Sequence, residues 1–150
     1  MKINGLVIEN DILKKYAPET EEDKKCPIII IPEGVKKVGG IMSAEDQIRF
    51  SEYSDDDPMH YQAFRNNQEI SFVYIPDTVE EIGAKSFEHC LNINRIRFPK
   101  NLNGVSEFAN NVILTAYYNG TINEFKNNVN SKCCNNCRVV HCTDGDIIKQ

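Results

Sequence analysis

A repeat of fixed length constrains this chain more than anything else in it. Residues 75–102, IPDTVEEIGAKSFEHCLNINRIRFPKNL, hold one complete unit, and incomplete copies lie on both sides. With Pro76 as origin, Val79 falls at +3, Ile82 at +6, Gly83 at +7 and Phe87 at +11, and Pro99 opens the next unit at +23. Pro32 starts the same series, with Val35 at +3, Val38 at +6 and Gly39 at +7. Phe64 precedes Pro76 by 12 residues, as Phe87 precedes Pro99 by 12. Gly39 and Phe64 are 25 apart where the full unit has 4, so this copy carries 25 − 4 = 21 extra residues. A third copy opens at Pro99, places Leu102 at +3 and Val105 at +6, and leaves the pattern after Ser106. A period in the twenties specifies a solenoid, whose units bury their apolar faces only against stacked neighbours.

Each position of the unit has a physical reading. Ile29 and Ile31, Val73 and Ile75, and Ile96 and Phe98 alternate before the prolines, as short strands with one buried face do. Proline then ends each strand, because it offers no donor to a ladder. Gly39 and Gly83 suit a turn that needs positive φ. Phe64 and Phe87 are expected to fill the core from the other side of the coil. The extra residues are expected to protrude, leaving Val38 and Phe64 in one coil as Ile82 and Phe87 are in the next.

Pro76, Val79, Ile82, Gly83, Ser86, Phe87, Cys90 and Ile93 together resemble the repeat of the BspA-like bacterial leucine-rich repeat family, with Ser86 in place of the usual alanine and Ile93 of the leucine. Tyr117, Tyr118, Gly120, Thr121, Phe125 and the run from His141 to Gly145 resemble that family's C-terminal cap, and LVIENDILKKY its N-terminal cap. The resemblance implies an α/β, β-rich leucine-rich-repeat solenoid, capped at both ends, with a short parallel sheet on one side and short helical turns on the other. It implies little about activity, since such a scaffold displays surfaces for many purposes.

The 150 residues suit a single domain, divided as an N-terminal cap over 1–25, repeats over 26–106 with an insertion at 40–60, and a C-terminal cap over 107–150. A net charge of −5 argues against a nucleic-acid partner, which would need a basic face. Residues 1–25 lack the apolar core of a signal peptide, and the apolar run at 28–31 is far too short for a membrane span. The expectation is a cytoplasmic protein with no membrane contact, or an extracellular one if the natural chain carries a signal. Residues 1–16 read as a hairpin about Asn10-Asp11, residues 17–25 as a charged loop, and 138–142 as the closing strand. Residues 112–118 read as a further strand, after which Thr121 caps a helix through Phe125 and Val129.

Chemical motifs are weak. Cys134-x-x-Cys137 followed by His141 or Cys142, with Cys133 alongside, has the donor types for zinc. Successive strand residues point to opposite faces, so His141 and Cys142 are poorly placed to share an ion, and reduced thiols are expected instead. His89 adjoins Cys90, yet no third group orients them, and no phosphate-binding glycine loop or hydrolase motif is present. The acidic insertion (Glu45, Asp46, Glu52, Asp55, Asp56, Asp57) lacks the spaced ligands of a calcium loop. No catalytic residue, metal ligand or cofactor is expected. Alternation places Ile28, Ile30, Phe72, Tyr74, Arg95 and Arg97 outward on adjoining strands, and aromatic and arginine side chains are enriched at binding hot spots. The reading is therefore a non-catalytic protein-interaction module using those six residues for a protein partner or self-association. Two alternatives are an inhibitor or mimic acting through the 40–60 insertion, and a cysteine-ligated zinc protein.

Overall fold

The computed structural model describes residues 5–39, 63–83, 86–102, 112–129 and 137–148, and the backbone of 2–3. The excursion expected between Gly40 and His60, the departure after Ser106 and Cys133 and Cys134 all lie outside the described residues. Three parallel strands end just before or at the residue preceding each repeat proline: β4 (Ile28–Ile30), β6 (Phe72–Tyr74) and β8 (Arg95–Arg97). They stack in the register the repeat dictates, Ile29 beside Val73 and Val73 beside Ile96. Strand β9 (Ile113–Tyr117) continues the stack in parallel, placing Ala116 beside Ile96, and β10 (Cys137–Cys142) adds the next parallel rung, Val140. Strand β11 (Gly145–Ile148) returns antiparallel to finish a six-stranded main sheet, so the closing strand is this one and not β10.

The far side of the coils is also a sheet rather than helical turns. The Val-x-x-Ile part of each unit forms two-residue strands, β5 (Lys37–Val38) and β7 (Glu81–Ile82), paired in parallel with Val38 beside Ile82. Among the described residues, four-residue turns carry Phe64 and Phe87 between the two sheets. The N-terminal hairpin, β2 (Leu6–Glu9) and β3 (Ile12–Tyr16), adds to this small sheet, with Leu13 beside Val38 and β1 (Lys2–Ile3) outermost. Asn10 and Asp11, at φ 52° and 65°, make the tight reversal that the hairpin requires. Residues 17–25 are not wholly loop. Thr20 accepts a hydrogen bond from the Asp23 amide and caps one helical turn, α1 (Glu21–Lys24).

Between the sheets runs one core. Leu13, Val38 and Ile82 stack on one side and Ile29, Val73, Ile96 and Ala116 on the other, all buried. Phe64 and Phe87 fill the middle in parallel, with centroids 5.0 Å apart, and Tyr16 ends that aromatic column 5.5 Å from Phe64. Val38 and Phe64 thus share a coil as Ile82 and Phe87 do, despite 25 intervening positions. Burying each such side chain contributes roughly 1.5–3 kcal/mol, available only when the neighbouring coil is in place. Gly39 takes the expected positive φ of 73° and its amide donates to Leu13 O, whereas Gly83 does not share that positive φ, although its amide donates equivalently to Val38 O. Buried Ser86 keeps its hydroxyl satisfied on the Val38 carbonyl at 3.3 Å.

One backbone device recurs at the described coil entries from β4 to β9 and in the small sheet. A single carbonyl accepts from two successive amides of the next coil: Pro27 O from Ser71 and Phe72, Ser71 O from Asn94 and Arg95, Asn94 O from Leu114 and Thr115. In the small sheet Asp11 O does the same for Lys36 and Lys37, and Lys36 O for Glu80 and Glu81. After β9, Thr121 and Glu124 form a capping box on α2 (Ile122–Asn128). Phe125 of that helix packs edge-on against Phe98 and Tyr118, closing the core. Gly120 is required there by proximity, since a Cβ would meet the Tyr118 ring at 2.5 Å.

Candidate partner-binding face

The outward side chains of the main sheet fall into two rows set by strand register. One row is Ile28, Phe72, Arg95, Thr115, Val139 and Ile148; the other is Ile30, Tyr74, Arg97, Tyr117, His141 and Asp146. All six side chains singled out from the sequence stand in these rows, three rungs deep. The structure extends both rows over β9, β10 and β11, which sequence reasoning missed. Residues 112–118 read as a strand from their apolar content. Nothing in their spacing to the prolines shows that they stack in register with β8.

Exposure is uneven along the rows. Ile28 and Ile30 are 47% and 64% exposed, and no described residue covers them. Arg95 is exposed with its guanidinium 5.2 Å from the Phe72 ring centroid. Arg97 lies 5.0 Å over Tyr74 but is otherwise committed to the fold. Its Nη1 donates to Ile75 O at 2.9 Å and to Asp77 Oδ1 at 2.7 Å, and Nη2 donates to Asp77 Oδ2 at 3.2 Å. Its side chain is only 12% exposed. The forked head therefore clamps one coil to the preceding one, and the freer cation of the pair is Arg95. Tyr117 stacks on His141 at 5.4 Å, and His141 Nδ1 lies 2.9 Å from Asp146 Oδ1. The second row thus grades from aliphatic, through aromatic with arginine, to a polar His–Asp end, whereas the first ends in aliphatic Val139 and Ile148. The grading suits contact with a protein surface of mixed character.

Among the described residues, those with reactive or ligating side chains do not converge on a metal or catalytic site. His89 is an exposed turn residue at φ 62°, whereas the neighbouring Cys90 is buried with its thiol donating to Phe64 O at 2.9 Å. On β10, His141 points outward and Cys142 packs against the core. Burial, with Asp144 and Asp146 adding to it, pushes the Cys142 thiol above its ordinary pKa, which disfavours the thiolate that a metal or nucleophile needs. Among the described residues no group of three His, Cys, Asp or Glu side chains is placed to hold a metal ion. None of the described helices is long and apolar enough to cross a membrane.

Stacked parallel rungs, a single inter-sheet core and closing elements at both ends define a leucine-rich-repeat solenoid of about four turns. A family model for the BspA type leucine-rich repeat region (6 copies) matches residues 57–145, which is 145 − 57 + 1 = 89 of the 150 residues, and the chain belongs to that family. No curated protein and no solved structure matches the chain. Repeat regions of this family are often used in protein–protein interaction.

Proposed function

We propose that this protein is a non-catalytic interaction module whose outward main-sheet face, centred on Ile28, Ile30, Phe72, Tyr74, Arg95 and Arg97, contacts a protein partner. The observation that carries this reading is the register itself. Ile28 and Ile30 stand exposed and Phe72 and Tyr74 half-buried in two aligned outward rows, and apolar patches of this kind mark interaction surfaces. Arg97 acts mainly as the clamp on Asp77 beside Tyr74, and Arg95 supplies the accessible charge. A photoreactive residue replacing Ile30 or Tyr74 is expected to crosslink a partner in native-host extract, and Tyr74→Ala combined with Arg95→Glu should abolish capture by the Ile30 probe. Equal crosslinking from Glu80, on the small-sheet side, or undiminished capture by the double variant would place the binding surface elsewhere.

A further inference from the structure

The two sheets do not end together. At the N-terminal end the small sheet runs on past β5 through β3, β2 and β1, while the main sheet stops at β4. Opposite β3 there is accordingly room for a main-sheet strand that the described chain does not supply. A cleft of about 360 Å³ lies in that place, lined by Leu6, Tyr16, Asp23, Cys26 and the three residues of β4. The backbone of β4 is half used. Pro27 O and the Ile31 amide bond to β6, so in a parallel ladder the intervening Ile28 and Ile30 direct their amides and carbonyls toward the cleft. Among the described residues the sole partner at that edge is the Cys26 thiol, which donates to Ile28 O at 3.3 Å, a weak donor standing where a strand amide would stand. Native sheets blunt such edges with charge, proline or a covering element, and Ile-Ile-Ile carries neither charge nor proline.

We infer that the β4 edge accepts one extended segment of a partner protein as an added strand, with an apolar side chain inserted between Leu6 and Tyr16 and a basic residue meeting Asp23. A second copy of this chain does not fit. Edge-to-edge pairing about a two-fold axis would bring the partner's own β5 and cap opposite its β4, into the space that β3 and β2 fill. The overhanging cap therefore selects a single strand over another solenoid. Glu21 is paired with Lys24 at 3.1 Å, so Asp23, which lines the cleft, together with Glu22 and the net charge of −5, favours a basic residue on that strand. The inference goes beyond the side-chain face proposed above and stands without it, because edge pairing uses backbone groups of Ile28 and Ile30 and not the rows of Phe72, Tyr74 and Arg95.

Amide hydrogen exchange of the full chain tests it, with a short synthetic peptide that alternates valine and threonine, carries lysine at both ends and has one central phenylalanine. Without peptide, the Ile28 and Ile30 amides should exchange about tenfold or more faster than Ile29, which bonds to β6. Adding peptide should slow both to the Ile29 range, and the same peptide N-methylated along its pairing edge should have no effect. Ile30→Pro removes one edge-facing amide while leaving the β6 ladder intact, and should abolish peptide binding while the Ile29 amide keeps its slow exchange. Slow exchange at Ile28 and Ile30 in the free chain would show that residues 40–62 already cover the edge and would overturn the inference. So would a dimer that Ile30→Pro dissociates, or equal protection by the N-methylated peptide.

Discussion

Asn66 and His89 occupy equivalent places, each two residues after the buried phenylalanine of its coil, and both hold positive φ, 66° and 62°. The turn needs a left-handed residue there, which asparagine tolerates and histidine tolerates less well. His89→Gly should accordingly raise stability by about 0.5–1 kcal/mol, measured by urea unfolding, while Asn66→Ala lowers it by a similar amount. Phe64 sits between Tyr16 and Phe87 with 2% exposure, so Phe64→Ala should cost about 3–5 kcal/mol in the same assay. The phenylalanine was legible from its fixed spacing to the next proline. The left-handed position was not, because asparagine and histidine share no chemistry that marks it, and only the coil geometry makes them equivalent. The same limit applies to the pairing of His89 with Cys90, which adjacency in sequence suggested and opposite burial dissolves.

Elements show where local chemistry sufficed and where stacking was needed. The helix α2 was readable from Thr121 as its cap, and the structure adds Glu124 to complete a capping box, each side chain bonded to the other's amide. Thr121→Ala should destabilise the protein by about 1 kcal/mol. Hydrogen bonding to the Thr121 backbone, then its side chain, holds the Glu124 carboxyl below its ordinary pKa of 4.5. A lowered folded-state value stabilises above pH 4.5 and is lost as pH falls through that lowered value. In an NMR titration the Glu124 pKa should move back toward 4.5 in Thr121→Ala. By contrast, the small sheet escaped notice because strands of two residues leave no alternation to read. Their parallel pairing comes from the coil-entry carbonyls, which no side chain announces. Arg97 was likewise placed on the right face with the wrong freedom, since Asp77 lies 20 residues earlier and only stacking brings it beneath. A double-mutant cycle over Arg97→Ala and Asp77→Ala should give a coupling of about 0.5–1 kcal/mol, modest because Asp77 is partly solvated.

For the whole molecule, contacts run between sequential coils and through one shared core, so stability is expected to be graded along the stack. Amide protection should peak at Val73 and Ile96, whose strands have neighbours on both sides, and fall toward β11. Protection that is uniform from β4 to β11 would show a single indivisible unit instead. The doubly accepting carbonyls carry this further. Ser71 and Asn94 differ by 94 − 71 = 23 positions and present the same oxygen to the coil that follows. Excising residues 76–98 would join Ile75 to Pro99, bring β6 alongside β9, and leave Ser71 O to receive the Leu114 and Thr115 amides. The main-sheet joints from β4 to β9 accept the same plug, and so coil number there is a quantity that insertion or deletion can change in whole steps. The reach of the outward rows, and with it the footprint offered to a partner, lengthens or shortens by one strand each time.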